Sequence, residues 1–255
     1  MTGVPERLWV VVPAHNEQEW ITATLEALVR QRDRHFTSVV VDNASTDGTA
    51  EVVRTFAAAH PGFDLRVIHE PEKGTGAASD TGMRYAIDQG ATLLARTDAD
   101  CLPTPGWTTA VRRAFDAGLQ LAGGQTRART DDFRVTTRER VVLAAVVRFG
   151  RVVARFRSDR RGAEFLGPYL LIAGFNTAIT ADLYQRCGGY PRTAIEDAHE
   201  DRELMNRVRR VTRAYGRRRD MVVHCSLRRI KAWGLRNTLA WYTDHAYRGD
   251  VVDVR

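Results

Sequence analysis

Short β-branched runs alternate with longer amphipathic segments along the first seventy residues, and this alternation leaves few folds open to the chain. Leu8 to Val12, Val39 to Asp42 and Leu65 to His69 read as strands, while Glu17 to Arg32 and Asp47 to Ala59 read as helices between them. The order β-α-β-α-β predicts an α/β fold, Rossmann-like, with a mainly parallel sheet and helices on both faces. Ser45 and Thr46 stand ahead of the second helix, and Thr104-Pro105 ahead of a later one, with the Pro at the first helical position. A further strand is expected from Thr92 to Thr97. No internal repeat, low-complexity tract or Pro/Gly/Ser linker interrupts the 255 residues, a length that suits one domain or two closely fused halves.

Bulk chemistry narrows the class. With 44% hydrophobic and 27% charged residues the chain has the composition of an ordinary soluble globular protein. Cys101, Cys187 and Cys225 are odd in number and widely spaced, which excludes a disulfide framework or a C-x-x-C metal pattern and fits a reducing, cytoplasmic setting. The amino terminus lacks the layout of a signal peptide, and no apolar stretch approaches the roughly 20 residues of a membrane span. A net charge of +7 implies an anionic partner: a nucleotide sugar, phospholipid head groups or nucleic acid. The Arg-rich segment from Arg127 to Arg161 predicts one long amphipathic helix, Thr137 to Arg157. Arg148, Arg151 and Arg155 line one face; Val142, Val146, Phe149, Val153 and Phe156 line another. That helix either packs on its own domain or a second copy, or lies on a membrane surface near a lipid-linked acceptor.

Asp98-Ala99-Asp100 follows the apolar run Leu93-Leu94-Ala95. Two carboxylates one residue apart at a strand's carboxyl end, where open α/β sheets bind ligands, suggest a divalent cation bridging them to a diphosphate; the alternative is a solvated acidic loop. The first strand runs into Pro13-Ala14-His15-Asn16-Glu17 and the second into Asp42-Asn43-Ala44-Ser45-Thr46-Asp47-Gly48-Thr49, so two helix amino termini face one crevice. There Asp42 can accept a hydrogen bond from a base N–H and Glu17 is placed for base or ribose, although Ser, Asp and Gly are also ordinary cap and turn residues. Lys73-Gly74-Thr75-Gly76-Ala77 lacks the spacing of a P-loop or a dinucleotide fingerprint; Lys73 either meets phosphate or is solvated.

In order and spacing, Pro13-x-x-Asn16-Glu17, the Asp42-to-Thr49 block, Gly74 and Asp98-Ala99-Asp100 resemble glycosyltransferase family two, the inverting enzymes of GT-A fold. The resemblance implies one GT-A domain with a nucleotide-sugar half, residues 1–126, and an acceptor half, 127–255. It implies that Pro13, Ala14, His15, Glu17, Asp42, Asn43, Lys73, Gly74 and Ala99 surround the nucleotide, that Asp98 supports the ribose, and that Asp100 holds Mn2+ or Mg2+. The chain departs from the family where Asn43 follows Asp42 and where Ala78-Ser79-Asp80 replaces a pattern carrying a basic contact to the donor. A uridine diphosphate sugar is the donor the family suggests most often.

Farther on, Ala173-Gly174-Phe175-Asn176-Thr177-Ala178 is similar to the family's glycine-containing substrate loop, with Gly174 and Asn176 at the substrate; a tight turn or bulge is the other reading of Gly174. Of two Glu-Asp pairs in Glu196 to Leu204, only Glu200-Asp201 is followed by x-Glu-Leu-x-x-Arg, the family's pattern at its catalytic helix. By that likeness Asp201 takes the proton from an acceptor hydroxyl, Glu200 orients acceptor hydroxyls, and His199 assists. Met221 to Ser226 reads as a strand whose His224 resembles a metal or diphosphate ligand of GT-A enzymes, though a strand-end His is equally a structural one. Arg228 and Arg229 either neutralise the leaving diphosphate or form a solvated basic patch. Trp233, Leu235, Leu239, Trp241 and Tyr242 suit a final helix, and no site is assigned there.

The sequence thus points to a metal-dependent inverting transfer of a hexosyl group to an acceptor hydroxyl, located in the cytoplasm or at the inner membrane face. A nucleotidyltransferase of related fold would share the carboxylates and the metal but would form diphosphate bonds. A binding module for anionic lipid or nucleic acid would account for the charge, but not for acids gathered at strand ends, and nucleic acid is not expected as a partner.

Overall fold

The computed structural model describes residues 6–132, 162–192, 200–228, 230–234 and 237. Its elements run β1 (Leu8–Ala14), α1 (Ile21–Val29), β2 (Phe36–Asp42), α2 (Thr49–Ala59), β3 (Leu65–His69), α3 (Thr75–Asp88), β4 (Leu93–Arg96), β5 (Cys101–Pro103), α4 (Trp107–Asp116), β6 (Leu121–Ala128), a 3-10 turn (Gly174–Asn176), β7 (Thr177–Thr180), α5 (Ala181–Cys187), α6 (Glu200–Val211) and β8 (Tyr215–Cys225). One sheet holds all eight strands in the order β3-β2-β1-β4-β7-β6-β8-β5. The β3-β2-β1-β4 half is parallel, as expected. Beyond it the sheet is mixed: β7 is antiparallel to both neighbours, β8 is parallel to β6, and β5 is antiparallel to β8.

Side-chain alternation along the strands builds the two faces. In β1, Leu8, Val10 and Val12 join one buried cluster with Ile21, Leu25, Trp107 and Val111, while Trp9 and Val11 join the other with Met83, Leu204 and Val208. A strand buried on both faces needs a continuous apolar run, which is why Leu8 to Val12 shows no polar alternation. Helices α1, α2 and α4 start later than expected, α2 by two residues at Thr49. Residues 18–20 form a turn closed by Trp20 and Ile21 N–H groups on the Glu17 carbonyl (both 3.0 Å), so α1 begins at Ile21 rather than Glu17. The Thr104 carbonyl accepts from the Trp107 N–H (2.9 Å), and Pro105 falls in that turn, ahead of the first helical residue of α4.

β4 lies in the middle of the sheet and β5 at its far edge, so the Asp98-Ala99-Asp100 stretch is the crossing between them. Pairing of β5 with β8 then brings the residues after Cys225 to the same place. Asn176 holds this far half together. Its side chain is fully buried, its Oδ1 accepts from Trp107 Nε1 (2.9 Å), and its Nδ2 donates to the carbonyls of Gln125 and Met221 (both 3.1 Å). Expected at the substrate, Asn176 instead spends its amide on α4, β6 and β8.

Replacing Asn176 by Ala orphans a buried indole N–H and two carbonyls, and is expected to cost about 2–4 kcal/mol. Urea unfolding checks this, through a lowered midpoint at unchanged slope.

Candidate active site

An open cleft lies at the carboxyl ends of β1 and β4, lined by Pro13, Ala14, His15, Glu17, Asn43, Asp98, Ala99, Asp100 and Arg228 together with Thr75, Ala78, Phe175, Cys225 and Ser226. The first nine of these are residues to which the sequence points, and they come from four separate stretches of the chain.

Two loops form one wall, and they are sewn to each other. Asn16 and Ala44 both hold left-handed backbone (φ 54° and 52°), a conformation that costs non-glycine residues free energy and collects at functional sites. Cross-loop hydrogen bonds maintain it: Thr46 N–H to Asn16 Oδ1 (2.8 Å), Asn16 N–H to Ser45 Oγ (3.1 Å), Glu17 N–H to Thr49 Oγ1 (2.8 Å), and His15 Nδ1 with the Asn43 carbonyl (2.7 Å). The polar residues of the Asp42-to-Thr49 block therefore bind the first loop. Asn43 ties in a third loop, donating to the carbonyls of Glu70 (3.1 Å) and Glu72 (2.7 Å) and accepting from the Gly74 N–H (2.8 Å). Gly74 has φ +149°, which a side chain would strain, and this explains its place directly before α3.

Several expected contacts lie elsewhere. Asp42 accepts from the Ser45 N–H (3.3 Å) and pairs with His69 (3.4 Å), outside the cleft lining. Lys73 is exposed and also outside it. His224 is a correction as a metal ligand. Strand alternation puts Cys225, Val223 and Met221 on one face and His224 on the other, where Arg127 and Asp131 are its charged neighbours; burial, then Arg127, lowers its pKa. Arg229, His199, the helix expected from Thr137 to Arg157, and most of the aromatic segment from Ile230 to Tyr247 lie outside the described residues.

The acidic residues are held by arginines. Arg96, only 1% exposed, donates from Nε to Asp98 Oδ1 (3.0 Å) and from Nη1 to Glu200 Oε1 (3.2 Å), with its guanidinium 5.4 Å from the Tyr190 ring centre. Gly174 makes this possible: a Cβ there would stand 2.9 Å from Arg96 Nη1, so the glycine leaves room for a guanidinium. Arg228 makes a two-pronged pair with Glu17 (Nη1–Oε2 2.8 Å, Nη2–Oε1) and reaches Asp100 Oδ2 from Nε (3.1 Å), across 211 residues of sequence from Glu17. Burial lifts the Glu17 carboxyl to about 7 against the pull of Arg228. Arg129 donates to the Asp100 carbonyl (3.2 Å), and Trp20 lies 5.8 Å from the Arg228 guanidinium and 5.9 Å from that of Arg129. Arg96, Arg129 and Trp20 were missed in the sequence. Arg96 is the one with a readable signal, a cation at the end of a buried strand.

Glu200 and Asp201 open α6, whose amino terminus favours negative charge. Asp201 Oδ1 accepts from the Arg202 N–H (2.7 Å); burial first, then the Glu200 charge, raises its carboxyl to about 7, against the opposing pull of Arg96. A carboxylate at that value is poised to accept a proton near neutral pH. A hard cation takes one or two carboxylates and leaves its other positions to phosphate and water; Asp98 and Asp100, both in the cleft lining, are the residues that would hold it.

The glycosyl transferase family 2 model matches residues 9–197. The chain is 34% identical over 127 residues to Glycosyltransferase AglE of Haloferax volcanii, covering 49% of this chain and 40% of that protein. It is 32% identical over 120 residues to the polyprenol monophosphomannose synthase of Mycolicibacterium smegmatis, covering 47% and 44%. The chain thus spans under half the length of these relatives. Mannosyltransferase PcManGT from Pyrobaculum calidifontis, solved in complex with GDP-Man and Mn2+, superposes with a TM-score of 0.64 at 25% identity over 94% of this chain and 62% of that one. S. aureus TarS 1-349, solved in complex with UDP-GlcNAc, superposes at 0.61 with 15% identity over 86% and 58%, a likeness of fold.

Replacing Arg96 by Met leaves Asp98 and Glu200 without their shared cation; a loss of about 3–5 kcal/mol is expected, read as a lowered denaturation midpoint. With these loops, this acidic strand end and this sheet, the chain belongs to glycosyl transferase family 2.

Proposed function

We propose that this protein transfers a hexosyl group from a nucleoside-diphosphate sugar by direct displacement with inversion, assisted by a divalent cation. The observation that carries the reading is the Arg96 bridge. One buried guanidinium joins Asp98, on the donor side, to Glu200, the residue preceding Asp201. Asp201 takes the acceptor proton as the acceptor oxygen attacks, and Glu200 fixes the first turn of α6 against the donor loop. Arg228, already on Asp100 and Glu17, supplies positive charge next to the departing diphosphate. A bound Mn2+ or Mg2+ on Asp98 and Asp100 would add charge stabilisation at the diphosphate oxygens.

Donor and acceptor follow from similarity. PcManGT was solved with GDP-Man, and TarS, at lower identity, with UDP-GlcNAc, so GDP-mannose stands beside the uridine donors suggested by the sequence. Relatives named for polyprenol phosphates support a lipid-linked acceptor and contact with a membrane surface. Among the described residues no helix is long and apolar enough to cross a membrane. A lipid phosphate is largely ionised at neutral pH, with a second pKa of roughly 6, and needs no base. The raised carboxyl of Asp201 favours a hydroxyl acceptor instead.

Thermal-shift titration with GDP, UDP and dTDP, each with and without Mn2+, is expected to show a gain for one nucleotide that requires the ion; stabilisation by none of them would sink the donor reading. Asp201→Asn is expected to abolish transfer to a hydroxyl acceptor while leaving the nucleotide-dependent shift in place. Because Asp201 acts only when ionised, kcat/KM should fall about tenfold per pH unit below about 7 and level off above it. Full activity of the Asn variant with a polyprenyl phosphate would assign the lipid phosphate as acceptor and remove the base role.

A further inference from the structure

We infer that Cys101, Cys225 and Asp100 form a capture site for a soft divalent cation of the zinc class, at the floor of the cleft. Cys101 on β5 and Cys225 on β8 are direct partners across an antiparallel pair, and the ligand atoms of all three residues lie within 4.8 Å of one another. A tetrahedral zinc bound by two sulfurs and one carboxylate oxygen needs them roughly 3.5–3.8 Å apart, within that 4.8 Å limit. Cys225 and Asp100 both line the cleft, so an ion has an entry path and a fourth position open to solvent.

The Asp100 carboxylate divides between two neighbours. Oδ1 accepts from the Cys101 thiol (3.4 Å), while Oδ2 meets Arg228 Nε (3.1 Å). An ion on the thiol side therefore need not displace Arg228. On binding, each thiol gives its proton to solvent, so two thiolates and a carboxylate bring −3 against the ion's +2, and Arg228, shared with Glu17, stands beside the remaining negative charge. Thiolates select soft ions, whereas a hard Mn2+ or Mg2+ takes oxygen donors. Since Asp100 belongs to both ligand sets, a captured soft ion excludes the hard one and inhibits transfer, a consequence that rests on the proposed function.

Cadmium tests the site directly. The reduced full-length protein, titrated with Cd2+, is expected to develop the ultraviolet sulfur-to-cadmium band with a one-to-one endpoint and an intensity of two thiolates, and Zn2+ should abolish it. Cys225→Ser, at a half-buried position, should weaken binding by more than the roughly 10- to 100-fold typical of losing an outer-shell partner. Cys187→Ser, outside the cluster, should leave the titration unchanged. Absence of the band in the native protein, or undiminished affinity and band intensity in Cys225→Ser, overturns the inference. The band reports on the thiols alone and Mn2+-dependent nucleotide binding on the transfer reading, so either can fail without the other.

Discussion

A buried guanidinium, Arg96, is the constraint on which the site's arrangement depends. Taking a cation out of water costs several kcal/mol, and it is tolerated only where more than one acceptor meets it in good geometry. Asp98 and Glu200 do so from positions 102 residues apart in sequence, Tyr190 covers it, and Gly174 leaves it room. Once that group is in place, the distance between the donor-side acids and the first turn of α6 is fixed, and with it the setting of Asp201.

A second cation plays the corresponding part at the cleft's other side. Arg228 arrives from beyond the last strand and is held by Glu17 and Asp100 under the Trp20 ring. Three acids in one cleft would repel each other and any phosphate ligand; guanidinium groups between them lower that repulsion while staying charged at every relevant pH. Glu17, expected at the base or ribose, is thus bound first to a partner within the protein.

Much of the fold was legible because its signals are local. Strand β3 matched its expected limits, Leu65 to His69, and β2 and α2 fell within a few residues of theirs, since alternation and helical period act over neighbouring residues. The far half was less legible. The placement of β5 at the sheet edge and the antiparallel run of β7 depend on pairing partners that no short window contains. Of the candidate site residues, Pro13, Ala14, His15, Glu17, Asn43, Asp98, Ala99, Asp100 and Arg228 come together in the cleft, while Asp42 and Lys73 lie outside its lining. Asn176 and His224 face protein groups instead, because an amide or a strand-end imidazole looks alike in sequence whether it faces ligand or protein.

The sequence by itself determined the alternating architecture, the acidic strand end and the Glu-Asp opening of the last described long helix, because hydrophobic period and charge are properties of neighbouring residues. Only the tertiary structure decided which cation each acid meets, that Cys225 rather than His224 stands beside Asp100, and that Asp201 is raised toward neutral pH. Those outcomes depend on burial and on distances between residues far apart in the chain, and both exist only once the sheet has brought its strand ends together.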